Sequence, residues 1–158
     1  MNAILQSALI KVPFRATSRQ VSVDEVQALV AAFGQLMPDW YLELLKTFPI
    51  VGSDFVLLRL MGGRQVHLSL EWMSPEVMIR EAHEAIPGRI VIKYGYIPVA
   101  SCLNGSGDPY YIRPSDGDDP PLVEIFHDAV SESTGMHDSS KWMVSTSLSE
   151  FFTVATLR

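Results

Sequence analysis

The stretch that decides the fold is residues 104–112, with the sequence NGSGDPYYI. Two glycines in close succession, Gly105 and Gly107, are typical of a tight turn that needs positive φ angles. Asp108 can close such a turn by accepting hydrogen bonds from neighbouring backbone N–H groups. Strand-forming apolar and aromatic residues flank the turn on both sides. We therefore predict a β-hairpin whose structural turn spans residues 104–108.

Other elements follow from apolar periodicity and from capping residues. Ser22 and Glu25 form a capping box that begins a helix, and Gly34 is a typical residue to end it. The predicted helices span residues 22–34, 38–49, 74–85 and 147–155. The predicted strands span residues 55–61, 65–70, 110–112 and 122–126. Residues 89–100 are predicted to hold one or two strands with a break at Gly95, and residues 96–103 are the strand that leads into the turn.

These elements predict an α+β fold in one domain. An antiparallel sheet of about five or six strands is packed by N-terminal helices and by one C-terminal helix. A chain of 158 residues is a usual size for one domain, so we assign residues 1–158 to a single domain.

Composition narrows the class of function. Hydrophobic residues make up 47% of the chain and charged residues 19%, which is typical of a globular protein. The net charge of −6 argues against a nucleic-acid partner, because phosphate binding needs a basic surface, and suits a basic protein partner. The single cysteine, Cys102, cannot form an internal disulfide. The first ten residues lack the basic segment of a signal peptide, and no apolar run reaches the roughly 18 residues of a membrane span. We expect a cytoplasmic protein that does not contact a membrane.

Acidic residues concentrate between residues 104 and 132, where Arg113 is the single base. The acids are Asp108, Asp116, Asp118, Asp119, Glu124, Asp128 and Glu132. Their excess over Arg113 equals the net charge of the whole chain.

This acidic segment is open to two interpretations, a solvated rim or a docking surface for a basic protein. Complementary charge speeds the association of two proteins, and proline and glycine should keep the segment irregular and exposed. The candidate partner-binding residues are Asp116, Asp118, Asp119 and Glu124.

The chain contains no strong signal for catalysis, a metal or a cofactor. The aspartates of residues 116–119 lack the spacing of an EF-hand calcium loop, and His127 and His137 lack zinc-ligand spacing. The glycines at 105 and 107 lack the lysine of a phosphate-binding P-loop, and no nucleophile elbow is present. We predict a protein that is not an enzyme and needs no metal or cofactor; a small hydrolase that uses His127 and Asp128 stays an alternative.

Three runs of sequence carry a resemblance to a known family. They are IPVASCLNGSGDPYYI at 97–112, PPLVEIFHD at 120–128 and VSTSLSEFF at 144–152. In this order they resemble the SUKH superfamily, which has an Ile-Pro run, a Gly-x-Gly-Asp turn, an aromatic strand, a strand ending in a His-Asp pair and a final helix rich in serine and phenylalanine. The run LMPDWYLELLKTFP at 36–49 is similar to an earlier helix of that family.

The resemblance implies a function. SUKH proteins include bacterial toxin-immunity proteins and fungal cell-wall regulators. It therefore implies a protein-binding module, in the first place an immunity protein that neutralises a polymorphic toxin, with a basic toxin domain as partner. The alternative that it implies is a regulatory scaffold in cell-wall or stress signalling.

Overall fold

The computed structural model describes residues 1–61 and 64–158. The α-helices in these residues are α1 (Ala3–Ile10), α2 (Val23–Phe33), α3 (Asp39–Thr47), α4 (Pro75–His83), α5 (Gly88–Val91) and α6 (Leu148–Val154). The strands are β1 (Asp54–Met61), β2 (Arg64–Trp72), β3 (Ile97–Cys102), β4 (Tyr110–Ile112), β5 (Leu122–Ile125), β6 (Lys141–Ser145) and β7 (Thr156–Leu157). No helix in the described ranges is both long and apolar enough to cross a membrane.

The strands form one antiparallel sheet in the order β6-β5-β4-β3-β2-β1-β7. The α+β prediction is confirmed, and the strand count is slightly above the five or six expected. The sheet is curled. Its two edge strands, β6 and β7, are joined by the seven-residue helix α6, so the two edges lie close together. Arg59 on β1 also donates a hydrogen bond to the Val144 carbonyl on β6, across the open side of the curl.

Each face of the sheet packs against its own apolar cluster. The larger cluster contains an aromatic group formed by Phe55, Trp72, Phe151 and Phe152, and helices cover it. The smaller cluster, on the opposite face, includes Tyr96, Tyr111, Val123 and Ile125. Successive residues of a strand point to opposite faces, so neighbouring Tyr110 and Tyr111 divide between the two clusters.

Capping residues in the sequence predict the ends of the helices α2 and α4 correctly. The Ser22–Glu25 capping box is reciprocal, and Gly34 caps the end of α2. Ser74 accepts a hydrogen bond from the Val77 N–H and caps α4, which has a proline in its first turn. The predicted turn at residues 62–63 lies outside the described residues.

Within the region 89–100, the prediction of a strand before residue 97 is wrong. Residues 88–94 form α5 and a 3₁₀ turn, and the strand begins only at Ile97. The reason is tertiary contact: a Cβ atom at Gly88 would lie 1.9 Å from the Glu81 carbonyl oxygen, so the glycine lets α5 pack directly on α4. The buried apolar residues Ile90 and Val91 serve this packing.

Besides α5, the helix α1 and the strands β6 and β7 were not predicted. Ser147 and Glu150 have the spacing of a capping box at the start of α6, and only half of that box forms. Ser147 accepts a hydrogen bond from the Glu150 N–H, but the Glu150 carboxylate turns to the Thr146 N–H and hydroxyl instead of the Ser147 N–H.

Candidate functional site

The loop that joins β3 to β4, residues 103–109, is called the hairpin loop below. Gly105 and Gly107 have φ angles of 85° and 78°, the conformation that glycine adopts without strain. The Ser106 hydroxyl accepts a hydrogen bond from the Asp108 N–H at 3.2 Å. The Asn104 side chain donates to the His67 carbonyl at 2.7 Å, which fastens the loop to β2. The turn therefore has the positive-φ glycines that its sequence indicates.

Asp108 does not close its own turn, so that part of the prediction is wrong. Its carboxylate accepts hydrogen bonds from the backbone N–H of His127 at 2.8 Å and from the Nδ1 atom of the same residue at 2.7 Å. The hairpin loop and the end of β5 are neighbours because the Ile125 N–H also donates to the Pro109 carbonyl. Asp108 thus ties the hairpin loop to a segment 19 residues further along the chain.

His127 is held between two carboxylates. Its Nδ1 contacts Asp108, and its Nε2 lies 3.0 Å from an oxygen of Asp128. The hydrogen bond to Asp108 raises the pKa of His127, and the charges of Asp128 and Asp108 raise it further. Both ring nitrogens of His127 therefore lie within 3.0 Å of a carboxylate oxygen, the Asp108 contact being partly buried and the Asp128 contact exposed.

A second group of polar side chains lies on the inner face of the sheet beside the hairpin loop. Glu124 is directly opposite Tyr110 in the register, and both are buried. Burial raises the pKa of Glu124 to about 7, and the negative charge of Asp108 adds to the effect. Burial likewise raises the pKa of Tyr110, with Glu124 and Cys102 close by, yet the Tyr110 hydroxyl has no hydrogen-bond partner among the described residues.

Glu124 is therefore not part of an exposed acidic surface, and its selection as a partner-binding residue is corrected. It lies on β5 with only 8% of its surface exposed. The sequence held a signal for this burial: one acid stands inside the short apolar strand Leu122–Ile125, every residue of which is buried.

Asp119 also has a structural role. Its carboxylate accepts hydrogen bonds from the backbone N–H of Ser149 at 2.8 Å and from the Ser149 hydroxyl at 2.5 Å. Ser149 is in the first turn of α6, whose N–H groups lack partners within the helix. Asp119 thus satisfies a free donor at the start of α6, a contact that sequence spacing does not reveal.

The two remaining candidates, Asp116 and Asp118, are both exposed but differ in their contacts. Asp116 forms an ion pair with Arg113, with an oxygen 2.8 Å from Nη2. Asp118 is exposed and accepts one hydrogen bond from the Asn2 side chain at 3.2 Å. The four predicted residues thus do not form one surface of free carboxylates, and Asp118 is the most available of them.

Across residues 1–61 and 64–158, no group of three or more His, Cys, Asp or Glu side chains is placed to hold a metal ion. Comparison with protein-family models, with curated proteins and with solved structures finds no match for this chain.

Proposed function

We propose that this chain is a non-enzymatic protein-binding module of the SUKH type, an immunity protein that binds and neutralises a bacterial toxin. The observation that carries the proposal is a hairpin loop with an exposed tip on a fixed base. Leu103 is 43% exposed and residues 104–107 are exposed, while the anchors Asn104 and Asp108 bond to β2 and to His127. A loop that is already ordered loses less entropy on binding, so such a tip suits protein recognition.

The state of the reactive side chains supports binding over catalysis. His127 faces a carboxylate at each ring nitrogen, and Cys102 accepts a hydrogen bond from the Asn104 N–H at 3.3 Å. A catalytic site needs a nucleophile, a base and a donor for the developing charge around one reacting atom. The contacts of these side chains instead hold the loop in place.

The negative charge of this chain suits a partner with a basic surface. Asp118 is exposed, and Asp128 is 92% exposed beside His127. The chain as a whole carries a net charge of −6. A basic toxin domain would associate quickly with such a protein, because the field steers the encounter.

The test is growth protection. The protein encoded beside this chain's gene is expressed in a heterologous bacterium, alone and together with this chain. We expect the neighbour alone to stop growth and co-expression to restore it, with the two proteins copurifying as a complex. A toxic neighbour that still stops growth, and does not copurify with this chain, would contradict the proposal.

A further inference from the structure

A polar pocket of about 390 Å³ lies on the outer face of the sheet, away from the Tyr110–Glu124 pair. Tyr94, Tyr96, Arg113 and Lys141 are among its lining residues. Tyr96 belongs to the smaller apolar cluster, which packs on the face opposite the main core. The fold brings this pocket together from the segment before β3, the end of β4 and the start of β6.

Two cations flank one buried aromatic ring in this pocket. The guanidinium carbon of Arg113 is 5.6 Å from the centroid of the Tyr96 ring, and the Lys141 Nζ is 5.7 Å from the same centroid. Lys141 also donates a hydrogen bond to the Tyr96 hydroxyl oxygen at 3.1 Å. Because that oxygen accepts from Lys141, its own hydrogen is left to donate elsewhere. The pocket thus offers two positive charges and a hydroxyl donor on a chain that is acidic overall.

Asp138 shows where an anion fits. Its carboxylate lies 3.2 Å from the Lys141 Nζ and extends fully into solvent. The pKa of Arg113 is raised by its hydrogen bonds to Asp116 and also by the charges of Tyr96, Asp116 and Asp138, so the Asp138 carboxylate acts on both cations. An exposed ion pair of this kind contributes little free energy, so an external anion can displace it.

Arg113 keeps part of its guanidinium for such a ligand. Its Nε and Nη2 atoms contact Asp116, whereas Nη1 has no partner among the described residues. Guanidinium groups bind phosphate and carboxylate oxygens through charge-assisted hydrogen bonds.

Tyr94 supplies an aromatic wall. The residue is 43% exposed, and its hydroxyl lies against Gly135, where an added Cβ atom would come within 2.5 Å of it. The glycine therefore lets the segment after residue 130 approach the hydroxyl end of Tyr94 closely, while the Lys93 Nζ lies over the ring, 5.3 Å from its centroid. An aromatic ligand can stack on the ring face that Lys93 does not cover.

We propose that this pocket binds a small aromatic ligand that carries an oxyanion, with Arg113, Lys141 and Tyr96 holding the phosphate or carboxylate and Tyr94 contacting the ring. This inference goes beyond protein binding and does not depend on a toxin partner.

The experiment titrates phenyl phosphate into the ¹⁵N-labelled full chain at pH 7 and low salt, with amide chemical shifts as the readout. We expect saturable shifts at Tyr96, Arg113 and Lys141. Inorganic phosphate should bind several-fold more weakly, because it has no ring to place on Tyr94. Benzoate should bind at the same residues if a carboxylate suffices. Absence of saturable shifts with both aromatic probes would overturn the proposal.

Three variants make the test specific. Arg113→Gln should weaken phenyl phosphate binding by about tenfold, the change expected when a charge-assisted hydrogen bond is lost. Arg15→Gln, at an exposed arginine outside the pocket, should have no effect. Asp138→Asn should strengthen binding several-fold, because it removes the competing carboxylate at a fully exposed side chain with little risk to folding. Equal affinities of wild type and Asp138→Asn, or of the two arginine variants, would contradict the assignment.

Discussion

The Asp108 carboxylate accepts hydrogen bonds from both the backbone N–H and the Nδ1 of His127, at 2.8 and 2.7 Å. One side chain thereby joins the hairpin loop to the residues that follow β5. This contact lets the tip of the loop stay exposed without losing its shape.

Removing the Asp108 carboxylate should destabilise the fold. In Asp108→Ala the His127 N–H would lose its partner in a partly buried site, which costs about 1–3 kcal/mol of unfolding free energy. Urea denaturation at pH 7 measures the change. The matched control is Asp128→Ala, because that carboxylate also contacts His127 but is 92% exposed, and it should change stability by less than about 0.5 kcal/mol. Equal losses in the two variants would show that the buried contact has no special role.

Glu124 should make the protein less stable as pH rises towards neutral. Its pKa is about 7 in the folded chain against an ordinary value of 4.5, so the folded state keeps a proton that the unfolded chain releases. The contribution of Glu124 to the free energy of unfolding therefore falls between pH 4.5 and about 7 and is level above that. His127 adds to the decline, because a histidine with a raised pKa loses its stabilising contribution as pH rises above its unfolded value.

A substitution separates the two groups. Glu124→Gln should remove the Glu124 contribution, so that the variant gains on the order of 1–3 kcal/mol relative to wild type between pH 4.5 and pH 8. Urea unfolding at both pH values measures the gain. Glu84→Gln, at an exposed glutamate on the helical side, is the control and should follow wild type. If Glu124→Gln also follows wild type at both pH values, Glu124 does not have the raised pKa.

Gly107→Val should destabilise the fold by about 1–3 kcal/mol, because a β-branched residue resists the φ angle of 78°. Crowding is not the cause, since an added Cβ atom would lie 3.9 Å from the His127 ring, an ordinary contact distance. Thermal melting measures the change, with Leu103→Val in the same loop as the control. An unchanged melting midpoint together with lost partner binding would mean that Gly107 contacts the partner instead of shaping the loop.

Asp119 and Asp118 should behave differently although they are neighbours in sequence. Asp119→Ala removes the two hydrogen bonds at the start of α6 and should cost about 0.5–2 kcal/mol, the usual loss when a helix end loses its cap. Asp118→Ala removes one exposed contact to Asn2 and should cost little. Denaturant midpoints of the two variants provide the comparison. Equal midpoints would mean that the Asp119 carboxylate does not stabilise the start of α6 and acts as a surface charge like Asp118.

The sequence predicts what depends on near neighbours in the chain. Ser22 and Glu25 are three residues apart, and their capping box is present as expected. Gly105 and Gly107 likewise predict the turn of the hairpin loop from a segment of only five residues, 104–108. The fold class follows from such local signals, because each one places an element boundary.

The roles of the acidic residues could not be predicted in the same way. Asp119 bonds to Ser149, 30 residues away, and Asp108 bonds to His127, so both roles exist only after the sheet has formed. Glu124 is buried because its side chain points to the inner face of the sheet, beside Tyr110 and Trp142. Composition counts these three acids as surface charge, whereas tertiary packing gives each one a structural contact or a buried site.

The central claim is that the exposed tip of the hairpin loop binds a protein toxin. The most direct measurement is surface plasmon resonance of the purified protein encoded beside this chain's gene, tested against wild type and Leu103→Asp. We predict specific binding by wild type and at least a tenfold loss of affinity in Leu103→Asp, with the unfolding midpoint of the variant unchanged because Leu103 is outside the core. Absence of binding by wild type, or equal affinity of the two proteins, would contradict the claim.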